Sequence, residues 1–316
     1  MGMRILYHDD FDGVASAALL AAVRRRKYPD ESLTFISVDY GQPDLNWAAD
    51  IPKGLSASEP IAIVDFMFHP AASIYIDHHA TAFKTPEHQA LYHERAGYAR
   101  SFYEPYYWNA KAPSCAAAIA EITPFESSEF SEMIAAATMI DQAAYTCVED
   151  YLEMRTPAIA ISHAIPLMSE GEKGELIRRL MSGELASGAA FVIPQIALAR
   201  QRIREGVRVT EAATVCLGDV AVTDMVMMDA PWIRFAAYAL YPNTKYSFTI
   251  YRTGSTVRIA LGKNPWMDFT PHHLGNFAAE VGGGGHAYAA GCQFEGVDAY
   301  AQAWQFIRRV CATINA

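Results

Sequence analysis

Acidic and imidazole side chains recur at four places in the first half of the sequence. The first is the segment HDDFDG at residues 8–13, where one imidazole and three carboxylates occupy five consecutive positions. The others are Asp65, the run DHH at residues 77–79, and Asp141. Because adjacent carboxylates repel one another, we expect a cation to compensate their charge. Carboxylates combined with imidazoles suit Mn²⁺ or Mg²⁺ better than they suit soft metals.

Two divalent cations would relieve this repulsion and form a catalytic centre. Three or four carboxylates can hold two ions about 3.5–4 Å apart, with one bridging carboxylate and one shared water molecule. Such a pair activates the water as hydroxide and neutralises charge on a phosphoryl group. A single Asp after a strand is more often a helix N-cap or a turn residue, and Asp39 is assigned that ordinary role. The recurrence of acids at three successive strand ends favours a metal centre.

The acids follow short apolar segments that are typical of buried parallel strands. These segments, at residues 4–8, 33–40, 60–66 and 72–79, are rich in β-branched residues. An Ala- and Leu-rich segment at 13–26 predicts a helix after the first strand. In such sheets the ligand binds beyond the carboxyl ends of the strands, which is where the acids lie. We therefore expect an α/β fold with a parallel sheet in its N-terminal domain.

A second, smaller α/β domain is predicted in the C-terminal third of the chain. Two segments there are typical of β-hairpins, with turns at Gly218-Asp219 and Thr253-Gly254. Helices are expected at 271–281 and 297–314. The length of 316 residues also favours two domains. The expected division is a metal-binding domain at 1–185, a connecting helix at 186–206 and a substrate-binding domain at 207–316. The active site is expected in the cleft between the two domains.

Residues 80–113 show no clear periodicity and predict a long connection, either a lid or an ordered loop. Aromatic side chains are frequent at residues 92–108. They could stack on a nucleobase, although packing is the commoner role of aromatics at such spacing. The sequence leaves both roles open.

Composition and charge limit the possible partners. The formal net charge of −10 argues against capture of duplex nucleic acid, although a local basic pocket could bind a small anion. The five cysteines are scattered and form no C-x-x-C pair, as in a reducing compartment. No segment has the apolar length of a signal peptide or of a membrane span. We expect a soluble, cytoplasmic protein without a membrane partner.

Four consecutive glycines at 282–285 precede His286. Glycine allows positive φ and leaves backbone N–H groups unshielded, which suits the binding of phosphate or carboxylate. A flexible loop is the alternative for a bare glycine run. The adjacent His286 favours an anion clamp.

Five motifs, taken in order, resemble those of one known family. The segments HDDFDG, IVDF, YIDHH and MIDQ resemble the four motifs of the DHH phosphoesterases. The segment GGGGHAYAAG at 282–291 resembles the glycine-rich signature of their C-terminal DHHA1 domain. The resemblance covers nearly the whole chain and extends to the RecJ-like and nanoRNase-like members. It implies hydrolysis of a phosphate ester with two divalent ions, Mn²⁺ first, with Mg²⁺ or Co²⁺ as alternatives.

The resemblance also implies a role for each matching residue. It implies two sets of metal ligands, the first of His8, Asp10 and Asp65 and the second of Asp12, Asp65, His78 and Asp141. A hydroxide bridging the two ions would attack phosphorus in line. His79 would contact the scissile phosphate or assist the leaving oxygen, and Asp77 would orient His78. Asp9 matches no motif acid and is expected to face solvent.

Substrate-binding residues are implied in the second domain. Gly283, Gly284, Gly285 and His286 would close on the end of the substrate farthest from the metals. Family members that cleave short nucleotides often carry an arginine in the strand before the glycine run. Arg258 is the candidate here, and Lys263 is an alternative.

The leading hypothesis is a phosphodiesterase that acts on a short oligonucleotide, a linear or cyclic dinucleotide, or a related phosphate ester. An exopolyphosphatase or pyrophosphatase is an alternative, which would need a cleft lined with Lys and Arg. A catalytically decayed nucleotide sensor is another. The expected partners are the small substrate or a short single-stranded oligonucleotide, and a homodimer is left open.

Overall fold

Five short apolar strands form the sheet that carries the acidic turn. They are β1 (Gly2–His8), β2 (Ser32–Val38), β3 (Ile61–Val64), β4 (Ile74–Asp77) and β5 (Tyr106–Trp108). In this computed structural model their order is β2-β1-β3-β4-β5, and every neighbouring pair is parallel. The structure describes residues 2–39, 47, 60–98, 105–123 and 129–316. The four strands predicted from the sequence are confirmed.

The helices follow in chain order. They are α1 (Phe11–Lys27), α2 (Pro86–Tyr98), α3 (Cys115–Ile122), α4 (Ser131–Asp141), α5 (Val148–Leu152), α6 (Pro157–Ala164), α7 (Glu170–Leu180), α8 (Leu185–Phe191), α9 (Ile193–Ala213), α10 (Ala236–Leu240), α11 (Leu274–Ala279) and α12 (Ala299–Ile314). A short 3₁₀ turn at Ile165–Leu167 follows α6. None of the described helices is both long and apolar enough to cross a membrane.

The segment 80–113, expected to be a loop or lid, contains α2 and β5 instead. The strand β5 pairs in parallel with β4 and completes the sheet. It has only three residues, too few for a period to be recognised in the sequence. Residues 99–104 of the aromatic stretch lie outside the described residues.

Both faces of the parallel sheet are buried. Ile5 and Tyr7 of β1 pack on one face with α1 and α3, while Leu6 packs on the other with the aromatic residues around Tyr75 and Tyr92. The same alternation continues along β3 and β4. Because successive side chains of a strand point to opposite faces, burial of both faces requires apolar residues at nearly every position. The continuous apolar runs of the sequence reflect this requirement.

Helix α1 is the central helix on one face of the parallel sheet. Every residue from Phe11 to Arg24 is buried, and the helix packs against α3, α4 and α7. Its many alanines allow neighbouring helices to approach closely on several sides. The helix therefore holds its N-terminal end, which follows the acidic turn, in a well-defined position.

A second sheet lies in the C-terminal part of the chain. Its strands are β6 (Thr214–Leu217), β7 (Val220–Asp224), β8 (Tyr246–Thr253), β9 (Thr256–Lys263), β10 (Gly284–Gly285) and β11 (Ala289–Phe294). Their order is β10-β11-β9-β8-β7-β6, and only β7 and β8 are parallel. Both predicted hairpins are present. The turn of the second is Gly254-Ser255, one residue later than predicted, because Thr253 pairs with Thr256.

The chain forms two compact units. The first comprises Met1–Ala144 and Met154–Ala197, and the second comprises Tyr145–Glu153 and Leu198–Ala316. The parallel sheet belongs to the first unit and the mixed sheet to the second. The acids of the predicted metal site therefore all lie within the first unit.

Candidate metal centre

The turn between β1 and α1 is held by one carboxylate and one glycine. Asp10 is the N-cap of α1, and its Oδ1 accepts a hydrogen bond of 2.9 Å from the N–H of Gly13. Its Oδ2 lies 2.9 Å from Nδ1 of His8. A Cβ atom at Gly13 would lie 2.1 Å from the carbonyl oxygen of His8. Glycine is therefore required for the helix to begin this close to the strand.

The ion pair between His8 and Asp10 sets the charge of both residues. Burial disfavours the charged imidazole of His8, but the hydrogen bond and the charge of Asp10 outweigh burial and raise its pKa. Burial likewise raises the pKa of Asp10, and the contact with His8 reverses the effect, so that this pKa is lowered. Asp10 therefore remains a carboxylate.

Asp12 is buried against the N-terminus of α3. Its two carboxylate oxygens accept hydrogen bonds from the N–H groups of Cys115 (2.6 Å) and Ala116 (3.0 Å). Burial, followed by the charges of Asp10 and Asp141, nevertheless raises the pKa of Asp12 to about 7. The helix terminus thus holds Asp12 in place without neutralising it.

Asp65 lies at the centre of the acidic group, directly after β3. Its φ of 57° is in the left-handed region, which Asp tolerates better than most residues. Burial, then the charges of Asp12 and Asp10, raises the pKa of Asp65 well above its usual value. Its Oδ1 is buried, accepts no hydrogen bond from any described residue, and lies 3.4 Å from Nε2 of His78.

The two histidines after β4 have different partners. Nδ1 of His78 donates to the carbonyl oxygen of Ala112 at 3.3 Å, and Nε2 lies 3.4 Å from Oδ1 of Asp65. Nδ1 of His79 lies 2.8 Å from Oδ1 of Asp77. The expectation that Asp77 orients His78 is wrong, because Asp77 orients His79 and a backbone carbonyl orients His78.

The structure brings the eight acids and histidines of the predicted site into one region, although Asp12 lies in α1 and Asp141 ends α4 rather than a strand. Three groups have ligand atoms within 4.8 Å of one another: His8, Asp10 and Asp65; Asp12, His78 and Asp141; and Asp65, His78 and His79. The first group is the first predicted ligand set. The second group contains the second predicted set without Asp65. Asp65 belongs to two of the three groups.

The chemistry of this region fits divalent cations. Nε2 of His78 lies 3.4 Å from a carboxylate oxygen of Asp65 and 3.7 Å from one of Asp12. Among the described residues, no Lys or Arg forms an ion pair with either carboxylate. A divalent cation would neutralise these carboxylates and accept both oxygen and imidazole nitrogen as ligands.

One acid differs from its sequence-based assignment, and another lies near the site. Asp9 was expected to face solvent, but its carboxylate is three-quarters buried and lies 2.7 Å from Nζ of Lys173. Asp39, assigned a turn role, lies 3.9 Å from Nε2 of His8 and is 56% exposed. No sequence signal links Asp9 to a residue 164 positions away. The position of Asp39 at the end of β2 was the available signal for its proximity.

The glycine run of the second unit is part of a strand pair. Gly284 and Gly285 form β10, which pairs with β11, so the alternative of a flexible loop is not what the structure contains. A Cβ at Gly283 would lie 2.3 Å from the carbonyl oxygen of Gly291, whereas a Cβ at Gly284 would meet nothing within 4 Å. His286 is exposed and donates its N–H to the carbonyl oxygen of Ala289 at 2.7 Å.

Arg258 and Lys263 lie at different places on β9. Nζ of Lys263 donates to the carbonyl oxygen of Met267 at 2.9 Å and lies 4.8 Å from the ring centroid of Phe269. Arg258 is exposed, opposite Tyr251 of β8, and in the described part of the chain no hydrogen bond or ion pair engages its guanidinium. Arg258 is thus the more available cation.

The described aromatics between residues 92 and 108 pack on one another. Tyr92 is buried, and Trp108 packs edge-on against Phe83 with ring centroids 5.1 Å apart. Nε1 of Trp108 also donates to the carbonyl oxygen of His79 at 2.8 Å. These contacts favour the packing role over nucleobase stacking.

Solved structures resemble this chain over its whole length, although no family model and no curated protein matches its sequence. The pGpG-specific phosphodiesterase PggH from Vibrio cholerae is 20% identical, with a TM-score of 0.67 over 99% of both chains. An exopolyphosphatase-related protein from Bacteroides fragilis is 15% identical, with a TM-score of 0.52 over 100% of this chain and 94% of that one. An exonuclease RecJ bound to manganese is 16% identical, with a TM-score of 0.52 over 99% and 90%. The fold expected from the resemblance to DHH and DHHA1 proteins, an α/β fold of two domains, is confirmed.

Gly13→Ala tests whether the close approach of α1 to β1 positions the site. Because the methyl group would overlap the backbone of His8, we expect a loss of stability on the order of 1–3 kcal/mol and weaker Mn²⁺ binding. Thermal unfolding and titration calorimetry measure the two effects. Gly171→Ala on α7, where the methyl group meets nothing within 4 Å, is the control and should not lower either quantity. Native stability and Mn²⁺ affinity in Gly13→Ala would contradict this account of the turn.

Proposed function

We propose that this chain is a metal-dependent phosphodiesterase that hydrolyses a small nucleotide, such as a short oligonucleotide or a linear or cyclic dinucleotide. The observation that carries the proposal is the convergence of carboxylate and imidazole atoms at the carboxyl ends of β1, β3 and β4. Its ligand atoms include those of His8, Asp10, Asp12, Asp65, His78 and Asp141. The shared fold with a pGpG phosphodiesterase supports the substrate class.

Two divalent cations, Mn²⁺ first, are proposed to bind to the first two ligand groups, with Asp65 available to both. When bound, they would lower the pKa of a water molecule and offset negative charge on phosphoryl oxygens. The protein contributes ligands held before any ion arrives. Asp12 is fixed by two backbone N–H groups, and Asp10 is fixed as a helix cap.

His79 is proposed to hold a proton for the leaving oxygen. Its Nδ1 contacts the buried carboxylate of Asp77, whose other oxygen accepts a hydrogen bond of 3.0 Å from the hydroxyl of Tyr75. Burial disfavours the imidazolium, but the hydrogen bond and charge of Asp77 outweigh burial and raise the pKa of His79. The second proton of the imidazolium is then on Nε2, and 30% of the side chain is exposed to solvent. This proton is the one we expect to be transferred.

Arg258, the three glycines at 283–285 and His286 are proposed to bind the substrate. The exposed guanidinium of Arg258 could pair with a phosphate, and the exposed surface of Gly284 allows a ligand to approach the backbone. Lys263 is less suited to this role because its ammonium is already engaged.

An exopolyphosphatase-type activity is the second candidate, supported by the shared fold with an exopolyphosphatase-related protein. A panel assay with Mn²⁺ separates the candidates. It compares ribonucleotides of two to five residues, cyclic dinucleotides, dinucleoside polyphosphates, polyphosphate and pyrophosphate. We expect turnover of a phosphodiester. Turnover of polyphosphate alone would favour the second candidate, and nucleotide binding without any turnover would favour a sensor.

Asp65→Asn tests the metal centre. Removal of one charge from the carboxylate shared by two ligand groups should lower kcat by at least about 100-fold and weaken Mn²⁺ binding. The amide tolerates the same left-handed backbone, so thermal stability should not fall. Asp30→Asn, at an exposed turn after α1, is the control. Native kcat in Asp65→Asn would exclude the proposed centre.

Asp77→Asn tests the role of His79. Because the carboxylate raises the pKa of His79, its removal should lower that pKa, and the alkaline limb of the kcat profile should move to lower pH. Hydrolysis rates between pH 5 and pH 10 with saturating Mn²⁺ measure this shift. An unshifted alkaline limb with reduced kcat would mean that another group donates the proton.

Gly284→Ala and Gly283→Ala separate binding from folding in the glycine run. The methyl group at Gly284 meets no protein atom, so we expect KM to rise several-fold without loss of stability. The methyl group at Gly283 overlaps the backbone of β11, so that variant should be destabilised. His286→Ala should also raise KM and leave Mn²⁺ stoichiometry unchanged. If Gly284→Ala and His286→Ala both keep the native KM, the glycine run does not bind the substrate.

A further inference from the structure

A buried lysine lies beside the acidic turn. Lys173 is on α7, and only 7% of its side chain is exposed. Its Nζ lies 2.7 Å from the carboxylate of Asp9 and 3.2 Å from Oε1 of Glu170, and Oγ of Ser37 is 3.5 Å away. A buried ammonium is unfavourable unless it is paired and hydrogen-bonded. These contacts therefore account for the location of Lys173.

Asp9 is adjacent in the chain to two proposed metal ligands. It lies between His8 and Asp10, which belong with Asp65 to one of the candidate metal-ligand groups. Its N–H donates to the carbonyl oxygen of Val38 at 3.1 Å, so the backbone of the turn is tied to the end of β2. An unpaired carboxylate here would add one more negative charge, on a side chain that could compete with Asp10 for a cation.

Helix α7 makes further contacts with the end of β2. Glu170, at the first turn of α7, accepts hydrogen bonds from the N–H (3.1 Å) and the hydroxyl (2.6 Å) of Ser37. Lys173 contacts both Glu170 and Asp9. One ammonium thus joins the turn after β1 to the end of β2 through the start of α7.

We propose that Lys173 is a positioning residue for the metal centre. Its ammonium neutralises Asp9 and holds that carboxylate away from the ligand group, so that His8 and Asp10 keep the orientation in which they bind a cation. The inference rests on the proposed function in one respect, namely that His8 and Asp10 are metal ligands. Lys173 itself touches neither cation nor substrate in this account.

The donor count supports this role over a direct contact with substrate. An ammonium has three N–H donors, and Lys173 has three acceptors, on Asp9, Glu170 and Ser37. No donor is left for a phosphate oxygen. A simple packing role would not require the charged end of the side chain.

The test is a double-mutant cycle that neutralises each charge in turn, with Mn²⁺ as the probe. Lys173→Met should weaken Mn²⁺ binding, measured by titration calorimetry, and lower kcat, each by about 10–100-fold. Asp9→Asn in the same chain should restore both to within about threefold, because the uncompensated carboxylate is then absent. Arg179→Met, which removes an exposed ion pair with Glu175 on the same helix, is the control and should match the native protein.

Two outcomes in a folded variant would overturn the proposal. Native Mn²⁺ affinity in Lys173→Met would leave only a packing role. Loss of activity that Asp9→Asn does not restore, with an increased KM and native Mn²⁺ affinity, would assign Lys173 to substrate. If Lys173→Met does not fold, Lys173→Gln replaces it and must show the same loss and the same rescue. Calorimetry does not depend on turnover, so failure of this inference is distinct from failure of the proposed phosphodiesterase activity.

Discussion

Repulsion among carboxylates buried at the ends of parallel strands is the constraint on which the first unit depends. Asp12 and Asp65 are almost fully buried, and burial together with neighbouring acids raises the pKa of each. In a protein interior such charges are unfavourable unless positive charge is supplied. The surrounding structure is arranged to hold the acids in place while their charge remains available to a cation.

The fold separates the acids by giving some of them partners within the chain. Asp77 is bound by Tyr75 and His79, and Asp9 is bound by Lys173. Asp12 receives backbone N–H groups, which hold it in place without cancelling its charge. Asp65 receives no ion pair with Lys or Arg among the described residues. Asp12 and Asp65 are among the carboxylates that converge with the imidazoles of His8 and His78.

Much of this arrangement could be predicted from the sequence. Apolar runs predicted four of the five parallel strands, and the acids at their ends predicted where a site would form, because parallel strands align their carboxyl ends. The strand β5 could not be predicted, since three residues carry no period. The partner of Asp77 could not be predicted either, because His78 and His79 are adjacent and the choice depends on the carbonyl of Ala112, 34 residues away.

The sequence by itself determined the types of ligand atom and their order along the strands, because these follow from local pattern and residue identity. It also determined that Gly13 follows the acids, where a side chain would collide with His8. Only the tertiary structure decided which acids would be neutralised. The pairing of Lys173 with Asp9, 164 residues apart, depends on how α7 packs beside β2. Charge compensation acts through space over a few ångströms, and only folding sets those distances.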